Sequence, residues 1–445
     1  MALERFEPRP GRPEVRDDLP TDGDDRLEFD RHVFDRLERR AEHELLRFDT
    51  ELHDNAHRYC SRGASFTLRS LSLRSSTVRR SSRRQASISR PGPILSLQYM
   101  VLVSELREMY EDMVTARYYE ERLQEEYLEG KQPAFDISAG PIPGELHLAA
   151  GQEAAAAGVC RHLRDDDTAT APHRPHHVAI AKGVDLKRMT AEIFGRENGL
   201  SSGKGGHMHL FDPDAGFACS GIIAQGCPPA VGAGLAAKKR NEDGVAVAFL
   251  GEGAISQGAF LESLNLAAVQ RLPVVFVVED NDWAISMPKG RVTDVADGSQ
   301  RAAGFDMPGV RVDYDDATAV YDAAREAVGR ARAGNGPTLL EVQVHRRMGH
   351  FMGDPESYRP EEDVEAAQAR DSIERLAEDL RGAGLEDDDL EAIREDARER
   401  VDEAIEWAKE QPEPEPDAAH EDVFVNPPSG VTTEEPTHEL AGGDD

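Results

Sequence analysis

The stretch FLGEGAISQGAFLESLNLAAVQRLPVVFVVEDND, Phe249 to Asp282, decides how this chain is read. It opens on a short apolar run and breaks at Gly251-Glu252-Gly253. A segment of helical character follows, then a second apolar run, PVVFVVE, that ends in acid and amide side chains. Apolar strands without alternation are buried on both faces, and when helices separate them the sheet is parallel. A glycine turn between such a strand and the next helix is a place for phosphate. The backbone can come close there, and a helix starting near Ala254 would add N–H groups.

Two phosphate readings compete for that turn. A dinucleotide-binding G-x-G-x-x-G needs a third glycine at position 256, which is Ser256; the glycine comes two residues late, at Gly258. An acid between the first two glycines would also face the pyrophosphate without a counterion. The second reading uses that acid. If a divalent cation bridges protein and diphosphate, Glu252 serves the metal, as magnesium prefers oxygen ligands and is often shared between carboxylate and substrate phosphates. In a parallel sheet the end of the next strand adjoins the turn, so the Asn281 amide oxygen is a second candidate ligand and the Trp283 carbonyl a third. The plain alternative is a tight turn with a solvated glutamate and an asparagine helix cap.

Outward from this stretch the pattern repeats. The first apolar run is the end of a buried strand, VAVAFL, and PTLLEVQVH reads as a further one, with a helix over Ala317 to Ala333. The fold class expected is α/β, a parallel sheet with helices on both faces. Helices are also expected from Ser104 to a stop at Gly130, in the small-residue segment GQEAAAAGVCRHL, over Val184 to Phe194 and over Ala230 to Lys239. Between them, GRENGLSSGKGGHMHLFDPDAGFACSGIIAQG reads as a long glycine-rich loop, and loops of that length are usually functional. Past Tyr358 charged helices carry apolar positions such as Ile373, Leu376, Leu380, Ile393, Val401 and Ile405.

The chain has 445 residues, 39% of them hydrophobic, which is enough for a substantial core. A formal charge of −33 argues against nucleic acid or an anionic membrane as the main partner. Abundant acid with basic residues that are mostly arginine suggests a protein hydrated in concentrated salt, as in halophiles. Cys60, Cys160, Cys219 and Cys227 have neither C-x-x-C nor zinc spacing. No apolar run reaches the roughly 18 residues needed to span a bilayer, and the N-terminus lacks a secretory stretch, so a cytoplasmic location is expected. Ser61 to Arg90 is rich in serine and arginine and has no acid, a sharp break in so acidic a chain. Residues 1–99 are therefore expected to be a low-complexity or disordered extension, with a true start at Met100 slightly favoured. Residues 100–425 are expected to form the main domain, and 426–445 a disordered acidic tail.

The motifs ELHLAAGQEA, TAPHRPHHVAIAKG, GLSSGKGGHMH, SGIIAQGCPPAVGAGLA and RRMGHFMGDPESYR join GEG and its following Asn in one order and spacing, over roughly Leu106 to Val425. Together they resemble the alpha subunits of the thiamine-diphosphate-dependent, decarboxylating component of 2-oxo acid dehydrogenase complexes, which include pyruvate, branched-chain and acetoin dehydrogenases. The resemblance implies a thiamine-diphosphate-binding fold, with Mg2+ held by Glu252, Asn281 and the Trp283 carbonyl. It implies His173 and Arg174 at the diphosphate, Gly221 and Ile223 at the aminopyrimidine, and the backbone of Gly253 and Ala254 at the phosphate. His350 matches an active-site histidine in a mobile loop, also beside the cofactor, and His147 and His176 match histidines lining the approach. His207 and His209 form an H-x-H but are expected to be loop residues near the cofactor rather than a metal pair.

The activity implied is oxidative decarboxylation of pyruvate or a related 2-oxo acid with acyl transfer to lipoyl, or acetoin cleavage. The partners implied are a beta subunit, which supplies a glutamate for the aminopyrimidine in an α2β2 assembly, a lipoyl-bearing acyltransferase and a dihydrolipoyl dehydrogenase. Glu252 resembles the branched-chain members, whereas HRPHH and GHFMGDP resemble pyruvate and acetoin members, so the substrate stays open. Phe351 stands where some members carry a regulatory serine, so that form of control is not expected. From other classes, an NAD-binding dehydrogenase and an inactive regulatory subunit are the rivals. The intact Glu252, Asn281, Arg174 and His350 argue against the second.

Overall fold

The computed structural model describes residues 93–130, 140–313 and 316–422. The chain divides into two units, Met1–Tyr99 and Met100–Asp445, and the second is the subject below. The expectations for residues 1–92 and for the 426–445 tail lie outside the described residues.

In chain order the first half contains α1 (Pro93–Leu128), α2 (Glu153–Cys160), β1 (Thr168–Ala171), α3 (His176–Lys182), α4 (Leu186–Ile193), β2 (Phe211–Asp212) and β3 (Phe217–Cys219). Next come α5 (Cys227–Arg240), β4 (Ala246–Gly251), α6 (Gly258–Gln270), β5 (Val274–Asp280) and a hairpin of β6 (Trp283–Ala284) and β7 (Met287–Pro288). The remainder is α7 (Lys289–Val292), β8 (Gly309–Val312), α8 (Ala317–Arg332), β9 (Thr338–Gln343), α9 (Glu361–Ala369), α10 (Ser372–Gly382) and α11 (Asp387–Lys409).

The sheet order is β2-β3-β1-β4-β5-β9-β8, parallel throughout except for β2 at the edge. Alternate residues of the central strands enter two separate cores. Val247, Phe249, Val275, Val277, Leu340 and Val342 pack with α1, α2, α8 and α11 side chains such as Tyr119, Val159, Val320 and Val401. Ala246, Ala248, Leu250, Val274, Phe276 and Leu339 pack with Val231 of α5 and Phe260 and Leu264 of α6. Both faces are covered, which is why these strands show no polar alternation.

The small residues of α2 have a mechanical reason. A Cβ on Gly158 would lie 2.7 Å from Val320 Cγ1, so glycine lets α2 sit against α8. The expected helices and strands occur with shifted ends. Helix α1 begins at Pro93, well before Ser104, since Pro is tolerated in a first turn and no breaker follows. The expected glycine-rich loop carries two short strands, β2 and β3, whose few residues leave no periodic signature. The helix expected near Ala254 is a 3-10 turn over Glu252–Ser256, and α6 itself starts at Gly258. Among the described residues no helix is long and apolar enough to cross a membrane.

Candidate active site

Strand order reverses between β1 and β4: the chain runs outward from β1 to β3 on one side and from β4 to β5 on the other. Loops leaving the C-terminal ends of those strands diverge and open a crevice, the usual ligand position in open α/β sheets. A cavity of about 430 Å³ lies there. His147, His173, Arg174, Gly221, Ile223, Glu252, Gly253, Ala254, Asn281, Trp283 and His350 all line it. Of the expected site residues His176 alone is absent from the wall. It is fully buried behind it, with Nδ1 3.0 Å from Glu120 Oε2.

The turn after β4 brings Glu252 to Asn281. Glu252 Oε2 accepts from the Asn281 side-chain amide at 3.1 Å and from its backbone N–H at 3.3 Å. Burial first, and the Asp280 charge next, push the Glu252 carboxyl up to about 8. Asn281 Oδ1 is buried and has no hydrogen-bond partner. A carboxyl group with no cationic side chain bonded to it and an amide oxygen with no hydrogen-bond partner thus stand side by side. Opposite Trp283 in the hairpin is Pro288, which has no N–H to give its carbonyl. The two glycines of the turn differ. A Cβ on Gly253 would meet Ala284 Cβ at 2.9 Å, whereas Gly251 has open space around it.

Across the cavity stand His147, His173 and His350, with ring nitrogens within 4.8 Å of one another. Burial foremost, then Arg174, lowers the pKa of all three, that of His350 to about 4. They are neutral imidazoles at pH 7. Nitrogen donors do not suit magnesium, and the neighbouring guanidiniums oppose any cation there. Arg174 donates to the Leu148 carbonyl at 2.7 Å and the His350 carbonyl at 2.6 Å, with His350 Nδ1 3.2 Å away. The His350 N–H in turn donates to Asp354 Oδ2 at 2.7 Å, and the Tyr358 hydroxyl bonds the same oxygen. His207 and His209 do not form a ligand pair: His207 is buried against His147, its Nε2 3.4 Å from His147 Nδ1, while His209 is exposed.

Sequence reasoning missed three participants. Arg346 lines the cavity and is buried, bonding the Ile285 carbonyl at 3.0 Å and the Tyr358 hydroxyl at 2.8 Å rather than a carboxylate. Its signal was available: an arginine just after a buried strand and just before the histidine loop. Glu279 also lines the cavity and is 2.5 Å from His177 Nε2. Burial alone would lower His177, but the Glu279 charge and hydrogen bond outweigh it and raise its pKa. Both lie in quoted stretches, His177 in TAPHRPHHVAIAKG and Glu279 at the end of PVVFVVE, but nothing in either stretch points to their pairing across 102 positions.

The family model described as dehydrogenase E1 component matches residues 125–417. The alpha subunit of acetoin:2,6-dichlorophenolindophenol oxidoreductase from Cupriavidus necator is 42% identical, over 72% of this chain and 94% of the relative. The Bacillus subtilis protein of the same name is 41% identical, over 72% of this chain and 93% of the relative. The chloroplastic pyruvate dehydrogenase E1 component subunit alpha-3 of Arabidopsis thaliana is 36% identical over 81% and 85%. With the family model covering most of the chain and these relatives each at least 36% identical over more than two thirds of it, the chain belongs to the dehydrogenase E1 component family, on the side of its alpha subunits.

Proposed function

We propose that this chain is the alpha subunit of a thiamine-diphosphate-dependent oxidoreductase of the pyruvate and acetoin dehydrogenase type, with the thiamine-diphosphate-binding fold. The observation that carries the reading is the Glu252–Asn281 pair: a buried carboxylate beside a buried amide oxygen with no donor. That all-oxygen set fits Mg2+, and the Trp283 carbonyl extends it. Arg174 and His173 fit the diphosphate, Arg174 through a planar guanidinium that can serve two phosphate oxygens. Gly253 and Ala254 offer backbone to the phosphate, and Gly221 and Ile223 form the wall proposed for the aminopyrimidine. When bound, thiamine diphosphate supplies an electron sink for cleavage beside the substrate carbonyl.

The chain's own part is to orient and to manage protons. His350, neutral and tied to Arg174 and Asp354, faces the Arg174 guanidinium with Nδ1 as acceptor, so its Nε2–H can donate a hydrogen bond toward substrate oxygen. His147 adds a second neutral imidazole at the cavity wall, while His176 acts through the buried pair it forms with Glu120. A beta subunit completes the site in an α2β2 assembly, with a lipoyl-bearing acyltransferase and a dihydrolipoyl dehydrogenase downstream, in the cytoplasm.

Acetoin ranks beside pyruvate as a substrate, because the acetoin subunits are 41–42% identical to this chain and the pyruvate subunit of Arabidopsis thaliana 36%. The test is co-expression with a candidate beta subunit, Mg2+-dependent thiamine diphosphate binding, and reduction of an artificial acceptor by pyruvate, acetoin and branched 2-oxo acids. A complex that binds no cofactor rules the reading out.

A further inference from the structure

Lys289 stands just past the hairpin that carries Trp283, and its side chain is nearly buried. Its ammonium bonds Asp280 Oδ2, at the end of β5, and Glu341 Oε1 of β9 at 3.1 Å. Its backbone N–H donates to the Asp282 carbonyl at 2.8 Å. Both acids are fully buried and held in turn: Asp280 Oδ1 accepts the Asp282 N–H at 3.1 Å, and Glu341 accepts the Gly298 and Ser299 N–H groups at 2.7 and 2.9 Å. One lysine therefore closes the loop 282–288 onto two central strands. Asp280 adjoins Asn281 in the chain, and Ala284 of the same loop touches Gly253 of the glycine turn. The loop also has positive φ at Asp282 and Ile285, 66° and 57°, conformations that disfavour side-chain-bearing residues unless the surroundings hold them.

We propose that Lys289 is a positioning residue for the cation site: by tying the β6–β7 hairpin to Asp280 and Glu341, it fixes where the Trp283 carbonyl stands relative to Glu252 and Asn281. The inference rests on the cation reading given above. Its consequence is selectivity. Mg2+ demands near-ideal octahedral geometry, while Ca2+ accepts a flexible oxygen set at longer distances. A loosened hairpin therefore costs Mg2+ more than Ca2+.

The experiment is equilibrium dialysis of thiamine diphosphate with the co-purified complex, titrated with Mg2+ or with Ca2+, for wild type, Lys289→Met and Lys289→Gln. The methionine keeps length but removes every donor; the glutamine keeps a donor for Asp280 and covers the case in which the methionine variant does not assemble. The expected result is a rise of about tenfold in half-saturating Mg2+ for Lys289→Met with a rise of about threefold or less for Ca2+, and an intermediate Mg2+ shift for Lys289→Gln. Equal shifts for both cations, or no shift, overturn the proposal. A wild-type complex that binds no cofactor with either cation is a distinct result and refutes the functional reading instead.

Discussion

Asn281→Ala separates the cost of building this site from the gain in using it. In the free protein the Asn281 amide gives one hydrogen bond to Glu252, 3.1 Å long, while its oxygen is buried without a donor. With the carboxyl pushed up to about 8, Glu252 is mostly protonated at pH 7, so the lost bond is between neutral groups and is worth about 0.5–1.5 kcal/mol. Removing the orphaned oxygen recovers about 1–3 kcal/mol. The free variant should thus be as stable as wild type or slightly more so. The loaded state behaves oppositely. Losing one of three protein oxygens should weaken cofactor binding about 100-fold, or about 2.7 kcal/mol. At a cofactor level of 100 Kd the wild type gains about 2.7 kcal/mol and the variant only about 0.4. Thermal unfolding of the co-purified complex, with and without thiamine diphosphate and Mg2+, reads both halves. A variant clearly less stable when free, or one that keeps the full ligand-induced rise in Tm, refutes the assignment of Asn281.

Three further outcomes follow from the same geometry. Because the Glu252 pKa is raised above its unfolded value, the folded protein holds a proton between about pH 4.5 and 8 that the unfolded chain has lost. That group's contribution to stability therefore falls as pH rises through this window, and Mg2+ binding at pH 7 should release about one proton per site. Calorimetry in buffers of different ionisation enthalpy measures the release, and a value near zero contradicts the raised pKa of Glu252. Gly253→Ala should weaken cofactor binding, since the new methyl meets Ala284 at 2.9 Å; dialysis against wild type measures the change, and an unchanged affinity contradicts the close approach. His350→Gln should retain cofactor binding and lose turnover, and the acid limb of the wild-type profile assigned to this histidine should fall near pH 4 rather than 6.5, a value that kcat/KM against pH tests directly.

The reach of the sequence follows from the range of the interactions involved. Strands β4, β5 and β9 were legible because burial on both faces leaves unbroken apolar runs, and the adjacency of Glu252 and Asn281 followed from parallel pairing of β4 with β5. Strand β1 was not, since TATA is too short and too bland to show a period. The placement of His176 also escaped, because whether a histidine faces a cavity or a buried acid depends on Glu120, 56 residues earlier on another helix. The His177–Glu279 pair escaped for the same reason: only the closed fold brings its two partners together.

Charge matching under the crevice gives Glu252 its meaning. Four acids lie buried at or near the ends of β4, β5 and β9: Glu252, Glu279, Asp280 and Glu341. Buried carboxylates need a cation or several donors, since desolvation otherwise keeps them protonated. His177 answers Glu279, and Lys289 answers both Asp280 and Glu341. Among the described residues Glu252 bonds N–H groups, the two of Asn281 and its own backbone, and no cationic side chain. Arg346 is near enough to lower its pKa slightly, yet spends its bonds on a carbonyl and a phenol. Each of the other three acids has a basic side-chain partner within the chain, two of them sharing Lys289, and the one left over faces the cavity beside an amide oxygen that has no hydrogen-bond partner. An acid in such a turn is unfavourable in a site built for phosphate alone and favourable in one where a cation arrives with the ligand, which is the arrangement proposed above.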